Sequence, residues 1–290
     1  MQTLIFHNPL AGSGKSGRVC QYVKAELDRY DIPYDITERA ADVALLLEQE
    51  PIRVIAIGGD GTFNHLVNRA ALTNLTLLPI SAGTGNDFAR VVHGTLLPAK
   101  QLEGALFAEP CPVDVWEVNG IRFLEGCGIG FDGLVAHSAL KFWSGFPSGT
   151  RYSLAVARHL LGADYFNGQI TADNRLSYDG KLFMVSTGNG KYAGGGYKLW
   201  PAASLSDGLL DVLLITQASI RQRLLYVSMV RHGQHVALPG VHYLQTRELT
   251  VQADRDLLIH ADGEPGSGRL FKFRHAGQIL IQGVSPALQR

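Results

Sequence analysis

Residues 52–64, IRVIAIGGDGTFN, constrain this chain more than any other stretch, because a buried-strand pattern, a glycine turn, a carboxylate and a helix start follow one another without a spacer. From 52 to 57 the side chains are apolar on both faces, Arg53 excepted, which is the pattern of an interior strand in a parallel sheet covered on both sides. Gly58, Gly59 and Gly61 then remove the Cβ, so a polyanion can lie against the backbone. Thr62 is expected to cap a helix over 63–72, whose free N–H groups would face whatever occupies the turn. Asp60 is out of keeping with a plain anion site. A carboxylate there repels phosphate unless a cation lies between them or the carboxylate takes a proton from a hydroxyl, which points to phosphoryl transfer rather than phosphate binding alone. Glycine turns join strand to helix in many α/β proteins, and it is the full string GGDGTFN that raises this one above them.

The chain has 290 residues, 46% of them hydrophobic, enough for two cores. Lys plus Arg and Asp plus Glu are 26 each, so no general electrostatic pull toward nucleic acid exists. The first residues, MQTLIFHNPL, read as a strand rather than a leader, since they lack a basic region and carry a proline. No apolar run reaches the roughly 18 residues of a membrane span; the most apolar, 209–215, is interrupted by Asp211. A soluble, cytoplasmic protein is expected. Cys20, Cys111 and Cys127 have no CxxC spacing and read as small apolar residues rather than as disulfide or zinc ligands.

Strand and helix patterns alternate through the first third of the chain: strands at 3–7, 34–37, 52–57 and 75–80, and helices at 19–29, 43–48, 63–72 and 98–107. This predicts a doubly wound α/β domain. The loop LAGSGKSG after Asn8-Pro9 is not a Walker A loop, because Pro9 stands where that motif needs glycine; Asn8, Ser13 and Lys15 remain available to a nucleotide. A second polar glycine turn, SAGTGNDFAR at 81–90, follows the fourth strand. Both turns fall at carboxyl ends of parallel strands, where such folds bind ligands, so Thr84, Asn86 and Asp87 could share a site with Asp60. The patterning changes after Glu109-Pro110-Cys111-Pro112, giving expected domains 1–111 and 112–290, with the last residues free to return to the first.

The second part opens on a hairpin, 113–118 and 121–125 around Asn119-Gly120. Helical patches at 133–142 and 152–161 flank an aromatic loop of Phe142, Trp143, Phe146 and Pro147, which with Lys141 and Arg151 reads either as a bilayer contact or as core. Short strands follow at 168–172, 182–187 after an Asp179-Gly180 turn, 209–215, 248–252, 257–260, 269–274 and 278–281, interrupted by a helix at 220–231. That many strands predicts a β-sandwich.

The strings NPLAGSGKSG, GGDGTFNHLVN, GTGNDFAR, GIGFDG, NGKYAGGG, DGLLDVLLI and DGEP, in this order over nearly the whole chain, resemble the diacylglycerol kinase catalytic-domain family, in particular its soluble bacterial-type lipid kinases; sphingosine kinases are more distant relatives. The resemblance implies an ATP site on an N-terminal α/β domain of the NAD kinase and diacylglycerol kinase type, a C-terminal β-sandwich, and magnesium-dependent transfer of the γ-phosphate to a hydroxyl of a membrane lipid such as diacylglycerol, in the cleft between them. It places nucleotide contacts at Asn8, Thr37, the turn Gly58, Gly59, Asp60, Gly61, Thr62, Phe63 and Asn64, and at Thr84 with Asn86 beside it. Asp60, Asp87 and Glu264 look like the carboxylates around the catalytic magnesium. Glu264 is the implied proton acceptor, with Asp262 as its neighbour at metal or hydroxyl. A structural magnesium is implied at Asp207 with the carbonyls of Ser204 and Leu209, in keeping with the preference of a hard cation for oxygen. His65 departs from the glutamate that many relatives carry after GGDGTxN. The partner implied is a lipid met transiently at a membrane surface, with no nucleic acid and no transmembrane segment, and a homodimer is left open. A soluble-substrate kinase of the NAD kinase type and a catalytically silent nucleotide or lipid sensor are the competing readings. The NDFAR and NGKYAGGG strings favour the lipid branch over the first, and the intact Asp60, Asp87, Asp262 and Glu264 count against the second.

Overall fold

The computed structural model describes residues 1–142, 148–162 and 164–283. Trp143, Phe146 and Pro147 of the expected aromatic loop lie outside the described residues. The chain divides into two units, Met1–Val115 with Gly277–Arg290, and Trp116–Ala276. The division thus falls four residues beyond the expected 111, and the chain beyond Ala276 is part of the first unit.

In the first unit a parallel sheet runs in the order β2 (Asp35–Thr37), β1 (Gln2–His7), β3 (Ile52–Gly58), β4 (Leu75–Ser81). Leu280 and Ile281, from the last strand of the chain, pair parallel with Thr76 and Leu77 beyond β4. Helices α1 (Lys15–Arg29), α2 (Ala40–Leu47), α3 (Asp60–Arg69), α4 (Asp87–His93) and α5 (Pro98–Ala105) connect them. Ile5, Ile55, Ile57, Leu78 and Ile80 pack against Cys20, Val23 and Leu27 of α1 and Leu102 and Ala105 of α5. Both faces are covered, and for that reason β3 is apolar almost throughout. Arg53, its one charge, donates to Thr3 Oγ1 at 2.8 Å and to the Leu106 carbonyl at 3.2 Å, and burial holds its pKa below the usual value. Order β2-β1-β3-β4 reverses direction between β1 and β3, which opens the crevice at the carboxyl ends of those strands.

Among the described residues the second unit is antiparallel β with three α-helices. Its strands are β5 (Cys111–Val118, which enters from the first unit), β6 (Ile121–Phe123), β7 (Gly126–Gly130), β8 (Phe166–Ala172), β9 (Arg175–Gly188), β10 (Leu210–Thr216), β11 (Val241–Thr246), β12 (Leu249–Ala261) and β13 (Glu264–Ile281, which returns to the first unit). Helices α6 (Phe131–Phe142), α7 (Ser148–Leu160) and α8 (Ile220–Val230) complete it. β9 and β12 both pair with β8 over one half and with β7 over the other, so the strands turn from one layer to the next and enclose Trp116, Phe123, Phe166, Ile170, Val185 and Phe271. This is the expected β-sandwich.

Several local expectations change. Asp179-Gly180 is no turn: β9 runs through it, and the reversal lies at Asp173-Asn174, both with positive φ, between Ala172 and Arg175. The expected strands 248–252 and 257–260 are one strand with a bulge, as are 269–274 and 278–281 without a break. β7 and β11 were not expected; GCGIG is too rich in glycine and VHYLQT too polar to read as strands by pattern. Asn119-Gly120 forms the expected hairpin turn, with φ of 49° and 88°.

Candidate active site

Three loops meet at the carboxyl ends of β1, β3 and β4. Asn8 donates its backbone N–H to the Ile57 carbonyl at 3.2 Å and its side-chain amide to Thr62 Oγ1 at 3.0 Å, which ties the loop after β1 to the turn after β3. Ala82 and Gly83 N–H groups both donate to the Gly58 carbonyl, at 2.6 and 3.1 Å, tying that turn to the one after β4. The approach leaves no room for side chains: a Cβ on Gly83 would stand 2.6 Å from the Gly59 Cα. Gln101, fully buried on α5, holds the end of β4 by accepting from the Ser81 N–H at 2.8 Å and donating to the Ser81 hydroxyl at 2.7 Å.

Helix α3 begins at Asp60, with Gly59 at the N-cap position, so Thr62 lies inside the first turn and is not its cap. Its hydroxyl is instead committed to Asn8. Asp60 Oδ1 accepts the Phe88 N–H in the first turn of α4 at 3.2 Å, and the Phe63 and Phe88 rings pack 6.1 Å apart behind it. Asp87, 2% exposed at the start of α4, places a carboxylate oxygen within 4.8 Å of one from Asp60. Arg90 Nε stands 3.8 Å from the Asp87 carboxylate. Two carboxylates at this separation, beside backbone bare of Cβ atoms, are the donor set a hard divalent cation takes while keeping other positions for phosphate oxygens.

The remaining residues expected at the nucleotide divide by what their side chains already do. Thr84 is exposed, and its hydroxyl takes no hydrogen bond from the described residues. Asn86 stands in the left-handed region, φ 54°, and clamps Gly83 with both ends of its amide at 2.9 Å, so it shapes the turn. The Thr37 hydroxyl donates to Asp42 at 2.6 Å and accepts the Arg39 N–H at 3.1 Å, which commits it to the start of α2. Asn64 is buried against Asn68, at 3.0 Å. His65 meets Arg69 one turn on, Nδ1 to guanidinium 2.6 Å.

In the second unit Asp262 and Gly263, φ 47° and 87°, form a two-residue turn between Ala261 and Glu264. The Asp262 carboxylate accepts three backbone N–H groups, Leu124 at 2.7 Å, Glu125 at 3.0 Å and Gly126 at 2.9 Å, while its own N–H donates to the Gly126 carbonyl at 2.9 Å. A carboxylate so occupied ties the turn to residues 124–126. Glu264, by contrast, is exposed, and its carboxylate takes no hydrogen bond from the described residues. The turn therefore separates the two acids, one locked inward and one presented outward. Asp207, also exposed, accepts the Leu209 N–H at 3.0 Å in an Asp-Gly turn with Gly208 at φ 68°. A cation there would take this one side chain and backbone carbonyls, a set that suits calcium or magnesium but not zinc.

Two family models match the chain: the diacylglycerol kinase catalytic domain over residues 2–118, and the YegS C-terminal NAD kinase beta sandwich-like domain over 127–273. The chain belongs to the diacylglycerol kinase catalytic-domain family. Among the curated relatives of this kinase are the "Probable lipid kinase YegS-like" protein of Pseudomonas fluorescens, 30% identical over 84% of this chain and 82% of that one, and the diacylglycerol kinase of Bacillus subtilis, 28% identical over 90% and 89%. Among solved structures, a diacylglycerol kinase from Bacillus anthracis superposes with a TM-score of 0.79 at 22% identity, covering 99% of this chain and 98% of that one. An NAD kinase from Archaeoglobus fulgidus in complex with ATP gives 0.56 at 12% identity, over 100% and 96%. The protein is thus a kinase of the lipid kinase family, a family that uses ATP, with the α/β and β-sandwich architecture expected.

One polar cluster in this lipid kinase is not legible in the sequence. Asp132, buried at the start of α6, accepts from Tyr152 at 2.7 Å and Ser186 at 3.2 Å and lies 3.3 Å from His260 Nε2. Burial alone would lower the His260 pKa, but the Asp132 carboxylate outweighs it and holds it above the ordinary value; the Asp132 pKa lies below its own because the imidazolium and hydrogen bonds overcome burial. His260 and Asp132 sit inside HADGEP and GIGFDG, so the signal was present as two titratable residues within motifs, but their proximity follows only from the pairing of β7 with β12.

Proposed function

We propose that the protein transfers the γ-phosphoryl group of ATP to a hydroxyl of a membrane lipid of the diacylglycerol type, with magnesium at the phosphates. The observation that carries the reading is the pair of carboxylates, Asp60 and Asp87, within 4.8 Å beside the glycine turn. Asp60 and Asp87 would hold the metal, which when bound neutralises charge on the phosphates. Gly58, Gly59 and Gly61 bring backbone close to the nucleotide, with Thr84 able to donate its hydroxyl. Glu264 accepts the acceptor-alcohol proton as the new oxygen–phosphorus bond forms and the bond to the leaving ADP oxygen breaks. Asp262 holds the turn that presents Glu264. A second cation at Asp207, Ser204 and Leu209 would order the loop before β10 rather than take part in transfer.

The test is transfer of labelled γ-phosphate from ATP into a total lipid extract, with magnesium and with chelator. Label in the organic phase that disappears with chelator is the expected result. The NAD kinase likeness in fold supplies the alternative, a soluble acceptor, and label confined to the aqueous phase with a nucleotide acceptor present would establish it instead. Magnesium-independent transfer would show that Asp60 and Asp87 do not act by holding a metal.

A further inference from the structure

The outer side of α8 carries a solvent-exposed apolar strip framed by arginines. Successive helical positions rotate by about 100°, so residues three and four apart share a side, and here Arg221, Leu224, Leu225, Ser228 and Arg231 do so, with Arg221, Leu224, Leu225 and Arg231 exposed. Leu224 is 52% and Leu225 45% exposed, although Arg223 and Tyr226, on the opposite side, are buried. On that buried side the Arg223 guanidinium donates to the Leu160 carbonyl at 2.6 Å and the Gly162 carbonyl at 2.5 Å, which fixes the end of α7 against α8 and leaves the outer side of α8 to solvent.

Charge on α8 has one sign. No Asp or Glu occurs between positions 212 and 247, in a chain that has 26 of them and no net charge. Arg221 lies on this side of α8 and Arg231 directly follows the helix, both exposed. Leucines set between arginines, with no acid on the helix, complement a surface that is anionic at its headgroups and apolar beneath.

Building on the lipid-kinase reading, we propose that the outer side of α8 is the surface by which this protein docks on an anionic phospholipid bilayer. Leu224 and Leu225 enter the acyl boundary, and Arg221 and Arg231 lie at the phosphates. Among the described residues no helix is long and apolar enough to cross a membrane, so contact of this shallow kind is what α8 can make.

The test is sedimentation of the full chain with vesicles of phosphatidylcholine, with and without phosphatidylglycerol. Wild type should bind the anionic vesicles, more weakly as salt rises, and bind the neutral ones little. Leu224→Glu with Leu225→Glu should lower binding about tenfold or more, and Arg221→Glu with Arg231→Glu about fivefold per arginine or more. Both pairs are exposed, and unchanged circular dichroism and melting would exclude misfolding as the cause. Kinase activity in detergent mixed micelles should stay at the wild-type level in both variants while activity on vesicles falls with binding. Wild-type binding by both variants, with lipid phosphorylation intact, would overturn the docking surface and leave the kinase reading standing. Vesicle binding that depends on this strip in a protein that phosphorylates no lipid would do the reverse. A change of sedimentation coefficient between wild type and the leucine variant without vesicles would give the strip to a second copy of the chain and overturn the proposal.

Discussion

Asp60 Oδ1 accepts the Phe88 N–H at 3.2 Å, so the carboxylate after β3 is aimed by the first turn of the helix after β4. An asparagine retains that oxygen and loses only the charge. Asp60→Asn is therefore expected to fold and melt as wild type while kcat falls by about a hundredfold or more, the scale of losing one preorganised electrostatic group. Turnover near wild type at saturating ATP and magnesium would show that the charge has no catalytic use.

Glu264 and Asp262 should separate cleanly under mutation. Glu264→Gln is expected to leave the melting temperature unchanged and to lower phosphoryl transfer by about 10²–10⁴. Asp262→Ala strands three backbone donors and should cost about 3 kcal/mol or more, read as a shift of the denaturant midpoint. Equal melting of Asp262→Ala and wild type would contradict the anchoring role.

His93 makes the first unit sensitive to acid. Burial lowers its pKa from 6.5 to about 4, partly offset by donation to the Pro79 carbonyl. The unfolded chain therefore binds the proton first: the contribution is fully present above pH 6.5 and is lost as pH falls toward 4, at most on the order of 3 kcal/mol. Midpoints measured at both ends of that window should diverge less in His93→Gln than in wild type. Parallel slopes for the two proteins would refute the assignment.

At Asp207 the expected effect is on order rather than on chemistry. Chelator should lower the melting temperature of wild type by about 2–4 °C and leave Asp207→Ala unmoved, with kcat changed less than in Asp60→Asn. An equal response of both proteins to chelator would leave Asp207-Gly208 as a turn alone.

Legibility of the sequence varies with the range over which each feature is determined. β3 and its turn are readable because strand, glycines and helix start are contiguous, and Asn119-Gly120 because two residues specify that hairpin. Asp179-Gly180 misleads for the same reason. The local turn signal is real, but β9 continues because Tyr178, Asp179, Gly180 and Lys181 find partners in Ile170, Gln169, Gly168 and Asn167 of β8, a gain no dipeptide encodes. Thr62 is misplaced as a cap because Gly59, not a hydroxyl, starts α3. The commitment of Asp262 to residues 124–126, and of Thr37 to Asp42, depends on which partners arrive nearby. For Asp262 these come from more than a hundred positions away, beyond the reach of any spacing rule.

The return of residues 277–283 to the first unit has a consequence for biosynthesis. Leu280 supplies the partner of Thr76, so the open edge of β4, buried along its whole length in the finished molecule, has no cover while the intervening chain is still being made. At common translation rates that interval is roughly ten to forty seconds. A ribosome-bound nascent chain would thus present an unpaired, largely apolar strand edge for the whole of that time. Truncations just short of Gly277 should aggregate in the cell even though every residue of the glycine turns has already been translated.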